Sequence, residues 1–373
     1  MTVQRMNRSK DPAAWKKADL TDVSEYTLQL DPAEQAELRA AVDAIASAGR
    51  LSPLHALTRA DFPFSGLGAR LQQGYEDVRA GRGLVLVRGI PHEGWSLDHY
   101  AAAVWGIGTW FGRTLSQNAQ GERMGHVLDA TREDPTPRMY RSNFEIGLHN
   151  DPTAMLSLAC WNPAWRGGDS VFASAVTIHN EIAERAPQLL EHLYRGFHYH
   201  RLGEEAPEQE TVTPFRVPVF AQRNGQISCR NARAGYIAGH QELGIPITDE
   251  ELEAINLFDV IAREPENHLV VPLGRGDMVI INNYALMHAR TGFEDDADPG
   301  RRRHLLRLWL DAEGFRDVPP EFNQFVTDNG VPPQPGRRCT YDFKKLFAEV
   351  PPELLRGPGP RKTLSEIVAE SNN

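Results

Sequence analysis

The stretches of this chain that ask to be buried are short. "GRGLVLVRGIP" from Gly81, "AMLSLACW" from Ala154, "NHLVVPL" from Asn267, "GDMVIINN" from Gly276 and "RHLLRLWLD" from Arg303 are a few residues each, rich in Val, Ile and Leu. Glycine, proline or polar residues bound them, and runs of that length and make-up read as strands. Longer segments between them carry helical spacing. In "DPAEQAELRAAVDAIAS" Asp31 caps, Pro32 suits the first turn, Glu34 completes a capping box, and Leu38, Val42 and Ile45 form one apolar face. "SLDHYAAAVWGIGTWFG" reads as a helix, "VTIHNEIAERAPQLLEHLY" as one broken at Pro187, and Thr248 with Glu251 opens another. Residues 196–246 read instead as extended pieces separated by turns such as "RNGQ".

Short strands interrupted by helices give a β-rich α+β protein whose helices buttress a barrel or sandwich. A chain of 373 residues can bury a sizeable core without metal or disulfide, and nothing in it suggests two independent cores. The expected layout is one structural domain: a helical or irregular extension over 1–80, the β-rich core over 81–318, and a tail over 319–373. That tail holds the breaker-rich "VPPQPGRR" and "RGPGPRK".

Charge and cysteine usage narrow the function. With 40 Lys plus Arg against 50 Asp plus Glu, the formal charge is -10, which argues against a general nucleic-acid or membrane-surface binder. No apolar stretch approaches a membrane span, and "MTVQRMNRSKDPAAWKK" has no apolar core for a signal peptide, so a cytoplasmic protein is expected. Cys160, Cys229 and Cys339 are far apart with no CxxC spacing, which indicates neither a zinc knuckle nor a disulfide framework. A small-molecule substrate is the expected partner, and a homo-oligomer is left open.

One charged pair sits where burial is expected. In "EIGLHNDPTAMLSLACW", His149 and Asp151 precede an apolar strand, and two residues apart on an extended chain they share a face. A capping or turn role beside Pro152 is the plain alternative. His179 with Glu181 and His240 with Glu242 repeat the spacing, but the first pair starts a helix and the second lies in polar "AGHQELG", so both read as surface residues. A second histidine, His288, leaves the buried run "RGDMVIINNYALMHART". Two histidines and one carboxylate with open positions make the facial triad of non-haem Fe(II) oxygenases. In "RRRHLLRLWLD", strand alternation puts Arg303, Leu305, Arg307 and Trp309 on one face and His304, Leu306, Leu308 and Leu310 on the other. Two arginines turned inward call for an anion. An exposed edge strand with solvated arginines is the alternative.

With "LHND", "RGGDSVFAS", "NNYALMHARTGFED" and "RRRHLLRLWLD" in this order, the sequence resembles the taurine-dioxygenase-like (TauD/TfdA) family of Fe(II)- and 2-oxoglutarate-dependent oxygenases, from about Gly83 to Leu310. The resemblance implies a double-stranded β-helix (jelly roll, cupin-like) core with flanking helices. It places the catalytic metal ligands on His149, Asp151 and His288, and the arginine that grips the far carboxylate of 2-oxoglutarate on Arg303. Arg302 is the neighbour that the acidic insert "EDDADPG" brings into question, and strand alternation favours Arg303. Arg307 falls where relatives bind substrate or co-substrate, and Ser170 where the family commonly has a threonine that contacts 2-oxoglutarate. Fe(II), 2-oxoglutarate and dioxygen are the implied cofactors, with hydroxylation of a C–H bond and release of succinate and carbon dioxide as the implied reaction. Gln117, Asn118, Asn143, Arg230, Asn231 and Asn283 are the remaining candidates for the substrate side. If Arg230 and Arg307 face the cavity, an anionic or zwitterionic substrate suits. A cupin-like metalloenzyme independent of 2-oxoglutarate and a non-catalytic ligand-binding barrel are the competing readings.

Overall fold

Asp31 begins the first long helix as its sequence dictates: its carboxylate accepts from Ala33 N and Glu34 N while Glu34 reaches back to Asp31 N. The computed structural model of the chain describes residues 8–134, 137–334, 336–337, 341–351, 354 and 363–371. In chain order it runs β1 (Thr27–Gln29), α1 (Pro32–Ser47), α2 (Gly66–Ala80), β2 (Leu84–Arg88), α3 (Leu97–Gly108), β3 (Arg113–Thr114), β4 (Met124–Val127), β5 (Ile146–His149) and β6 (Met155–Asn162). There follow β7 (Arg166–Gly167), β8 (Ser170–Ser174), α4 (Ala175–Arg185), α5 (Leu190–Arg195), β9 (Phe220–Arg223), β10 (Gln226–Cys229), α6 (Arg233–Leu243) and α7 (Asp249–Ala262). The last elements are β11 (His268–Val271), β12 (Met278–Asn282), β13 (Leu286–Arg290), β14 (Phe293–Glu294), β15 (His304–Asp311), α8 (Phe343–Glu349) and α9 (Leu364–Ser371).

The strands form two main sheets. The larger has the order β1-β2-β12-β6-β15-β3, with β4 also paired to β15, and the smaller has the order β11-β8-β13-β5. All pairs are antiparallel except β1 with β2. Alternation along the large sheet explains its uninterrupted apolar runs. Val85, Val87, Met278, Ile280, Leu306, Leu308 and Leu310 pack with Leu38, Val42, Leu71 and Tyr100 of α1 to α3. Leu84, Leu86, Leu156, Val279, Ile281 and Trp309 turn the other way, against Phe172, Leu269, Val271 and Leu286 of the small sheet. Strands covered on both faces need apolar residues at every position. The inward-facing side of β15 is therefore the one that carries Arg307 and Trp309 into the space between the sheets.

Strand β1 comes from the first 80 residues, so that segment extends the large sheet at its edge. The β9–β10 turn is made at Asn224 and Gly225, both with positive φ, as a two-residue hairpin requires. Cys160 and Cys229 are buried free thiols, and Cys339 lies outside the described residues, as does "RGPGPRK". Among the described residues no helix is long and apolar enough to cross a membrane.

Two expectations are corrected. Residues 196–246 contain a helix, α6, which the glycines at 235 and 239 conceal in the sequence. Gly239 is needed because a Cβ there would lie 2.4 Å from the His198 carbonyl oxygen. His179 and His240 are buried core residues, whereas Glu181 pairs with Lys16 and Arg185 at the surface and Glu242 is exposed. His179 bonds the Tyr194 hydroxyl at 2.9 Å and meets Phe220 edge-on, while His240 Nε2 accepts from His198 N.

Burial lowers the pKa of His179 to about 4. Because the folded value lies below the unfolded one near 6.5, the stability this neutral ring contributes is present above pH 6.5 and drains away as pH falls towards 4. Between pH 7 and pH 5 the native protein is expected to lose about 2 kcal/mol more than a His179→Gln variant does, as denaturant titrations at the two values would show.

Candidate metal centre

Register brings the two histidines together. Strand β13 lies between β5 and β8, with His288 opposite His149 on one side and Phe172 on the other. The imidazole centroids are 4.2 Å apart. Strand β5 ends at His149, so Asp151 does not share its strand face as the spacing predicts; it lies in the connection to β6. A tight turn there, Thr153 N to Asp151 O at 2.9 Å, still returns the carboxylate to the rings. Asp151 Oδ1 lies 3.7 Å from His149 Nε2, and Oδ2 lies 4.0 Å from His288 Nε2. The ligand atoms of the three residues all fall within 4.8 Å of one another, and no other such trio of His, Cys, Asp or Glu occurs among the described residues. His149 keeps 26% of its side-chain surface while Asp151 and His288 are nearly enclosed, so the trio opens on one side.

Buried amides hold the connection in place. Asn150 exchanges backbone and side-chain bonds with Asn231, N to O at 2.7 Å and Asn231 N to Oδ1 at 2.9 Å. Its Nδ2 donates to the carbonyls of Asn283 and Leu286. Asn283 Nδ2 donates to Asp151 O at 2.6 Å and Thr153 O at 2.8 Å, and its Oδ1 accepts from Asp151 N. Arg230, fully enclosed, donates to the Asn150 carbonyl and to Gln324 Oε1. Three residues singled out for the substrate side, Arg230, Asn231 and Asn283, thus touch the backbone that carries the ligands. Asn150 went unnoticed in the sequence, where only its place in a polar "HND" ahead of an apolar run sets it apart.

Arg307 also touches the site through a ligand. Its Nη1 donates to Asp151 Oδ2 at 3.0 Å, and Trp309 Nε1 donates to the same oxygen at 2.8 Å. Gln117 fixes the arginine, accepting from Arg307 Nε at 2.8 Å and donating to its carbonyl at 2.9 Å, and the Tyr140 ring lies under the guanidinium at 4.4 Å. Asn118 lies outside this contact; its side chain bonds Glu122 and the backbone of its own loop.

Electrostatics set the protonation states. Burial alone would raise the pKa of Asp151, but the Arg307 guanidinium and the two imidazoles outweigh it and hold the carboxyl well below its ordinary range. Burial, followed by the His149 ring, pushes His288 well below the usual histidine value, against the pull of Asp151. The Gly147 carbonyl accepts from His149 Nδ1 at 2.9 Å, which leaves the Nε2 lone pair facing Asp151 and His288. An ionised Asp151 carboxylate beside a neutral His288 ring, with His149 Nε2 facing both, is a nitrogen and oxygen donor set that suits Fe(II).

Next to the trio lies a buried positive pocket. Arg303, immediately before β15, is 3% exposed; its Nη2 is 3.4 Å from the Gly168 carbonyl, and its Nη1 has no hydrogen-bond partner among the described residues. Burial lowers its pKa to about 10. Gly168 has φ +75°, and a Cβ there would lie 2.9 Å from Arg303 Nε, so the glycine turn of "RGGDS" is what lets the arginine in. Ser170 opens β8 directly opposite Arg290 of β13. The Asn143 carbonyl accepts from Phe293 N, beside the ring over which Arg303 lies. Arg290 is the pocket residue the sequence reading missed, although "HAR" sets it two positions after His288.

Two histidines and a carboxylate, open on one side and adjoined by a buried arginine with a spare donor, define a mononuclear non-haem iron oxygenase site. The chain belongs to the taurine catabolism dioxygenase TauD, TfdA family, whose model matches residues 50–309. It is 31% identical over 313 residues to FR-33289 synthase of Streptomyces rubellomurinus, covering 82% of this chain and 91% of that protein. It is 26% identical over 342 residues to the taurine hydroxylase-like protein SAT17 of Stachybotrys chartarum, covering 85% and 84%. Among solved structures, asparagine oxygenase in complex with Fe(II), 2S,3S-3-hydroxyasparagine and succinate superposes with a TM-score of 0.58 at 15% identity, over 76% of this chain and 93% of that one. The non-haem iron oxygenase OrfP in complex with Fe and alpha-ketoglutaric acid gives 0.55 at 15% identity, over 77% and 94%.

Proposed function

We propose that the chain hydroxylates a C–H bond of a small organic molecule, using Fe(II), 2-oxoglutarate and dioxygen. The observation that carries this is the convergence of His149, Asp151 and His288 from two separate segments into one chelating set, with Asp151 ionised and His288 neutral. Bound there, iron and 2-oxoglutarate supply the oxidising chemistry, in which dioxygen is reduced as 2-oxoglutarate becomes succinate and carbon dioxide and one oxygen atom enters the substrate. The protein's own work is to hold and exclude. His149 and His288 present ring nitrogens, and Asp151 offers Oδ1 while Arg307 and Trp309 restrain Oδ2. Arg303 and Ser170 receive the far carboxylate of 2-oxoglutarate. Gln117, Arg230 and Asn283 act as positioning residues, a role their hydrogen bonds to Arg307, Asn150 and Asp151 support better than contact with substrate. Asn143 borders the co-substrate end.

The two facing sheets support the double-stranded β-helix of the family as the core over 81–318, with the segments 1–80 and 319–373 packed on it as parts of one domain. A cytoplasmic setting suits the two buried free thiols. The substrate side rests on likeness. Arg230 and Arg307 are committed to Asn150 and Asp151, so they no longer argue for an anionic substrate. Asparagine oxygenase and OrfP in complex with hydroxylated asparagine and arginine support a small zwitterionic one.

The test is a screen of amino acids and small acids with iron-loaded protein in air. A true substrate is expected to raise succinate formation in step with a product heavier by one oxygen atom. Product formation that consumes no 2-oxoglutarate would favour the cupin-like alternative instead.

A further inference from the structure

Two residues beyond His288 on β13, Arg290 projects from the same face of its strand as the metal ligand and stands in register with Ser170 on β8. It is 6% exposed. One nitrogen, Nη2, donates to the carbonyls of Ser142 and Phe144, but Nε and Nη1 have no hydrogen-bond partner among the described residues. Its guanidinium lies 4.8 Å from the centre of the Phe293 ring, and that of Arg303 lies 4.9 Å from the same centre. Among the described residues neither arginine has a carboxylate within ion-pair distance.

Enclosing a cation without a counter-charge is costly, and a second one nearby adds repulsion to lost hydration. Three guanidinium nitrogens without partners around one aromatic ring, beside a serine and next to the trio, describe a receptor for an anion with several acceptor lone pairs. We propose that Arg290 is a second arginine of the co-substrate pocket, sharing with Arg303 the far carboxylate of 2-oxoglutarate and thereby selecting a dicarboxylic 2-oxo acid. This rests on the iron and 2-oxoglutarate reading of the site. The bonds from Nη2 to Ser142 and Phe144 aim the fork and tie the segment that leads into β5 to the pocket.

The experiment is an anaerobic binding titration of the Fe(II)-loaded full chain with 2-oxoglutarate and with 2-oxopentanoate, which has the same length but ends in a methyl group. Calorimetry reads affinity without turnover. Arg290→Gln is expected to weaken 2-oxoglutarate about ten- to hundredfold and to leave 2-oxopentanoate within about twofold. Arg290→Lys, which keeps the charge and gives up the fork, is expected to fall between the two and serves if the glutamine variant does not fold. Equal weakening of both acids would reveal a merely structural arginine and overturn the proposal, as would unchanged affinity for 2-oxoglutarate. Wild-type protein that binds 2-oxoglutarate no better than 2-oxopentanoate would overturn the reading of the pocket itself, and the proposal with it.

Discussion

Arg307→Met is expected to destabilise the metal-free protein by about 3 to 5 kcal/mol, the range for breaking a buried pair by removing one partner. The pair is enclosed on both sides, with 7% of the Arg307 side chain and 12% of the Asp151 side chain exposed. Without the guanidinium, burial would raise the Asp151 pKa, and the carboxyl would fold either charged and unpaired or protonated. Gln117 would lose the donor its Oε1 accepts from as well. A divalent cation supplies positive charge at the same carboxylate, so saturating Fe(II) under argon is expected to return part of the loss. Denaturant titrations with and without the metal read both effects. A variant within 1 kcal/mol of wild type would show that Asp151 does not depend on Arg307.

His288→Ala is expected to weaken Fe(II) binding by more than a hundredfold and to remove turnover. Loss of a partner that merely orients a ligand costs about ten- to hundredfold, so loss of a ligand sets a larger figure. The variant should remain folded. His288 is neutral and its Nδ1 has no hydrogen-bond partner among the described residues, so truncation breaks no ion pair and leaves a cavity to be tolerated. Equilibrium dialysis under argon, with circular dichroism to confirm the fold, checks it.

How much of this was legible in the sequence depends on how far apart the partners lie. The strands of the large sheet were plain because both their faces are buried, which makes Leu84 to Val87 or Met278 to Ile281 apolar throughout. The capped helices were plain because a cap is a local bond, as at Asp31 and Thr248. Helix α6 was not, since Gly235 and Gly239 serve contacts with Tyr199 and the His198 backbone that only tertiary structure supplies. The metal trio divides the same way. His149 and Asp151 are close in sequence, though a turn rather than a strand face unites them, and His288 joins them through a register that spacing alone could not give. Strand alternation rightly turned Arg307 inward, but its partner proved to be the ligand Asp151 rather than a free anion. The partners of Arg230 were hidden for a similar reason: a buried guanidinium that donates to the Asn150 carbonyl and to Gln324 looks, in sequence, like one awaiting a substrate.

On this reading His149, Asp151 and His288 hold iron so that 2-oxoglutarate chelates it. An anaerobic visible spectrum of the protein as Fe(II) and then 2-oxoglutarate are added tests this most directly, with His288→Ala alongside. A charge-transfer band that requires both additions and is absent from the variant is the expected result. Folded wild-type protein that binds iron and shows no band on adding 2-oxoglutarate would contradict it.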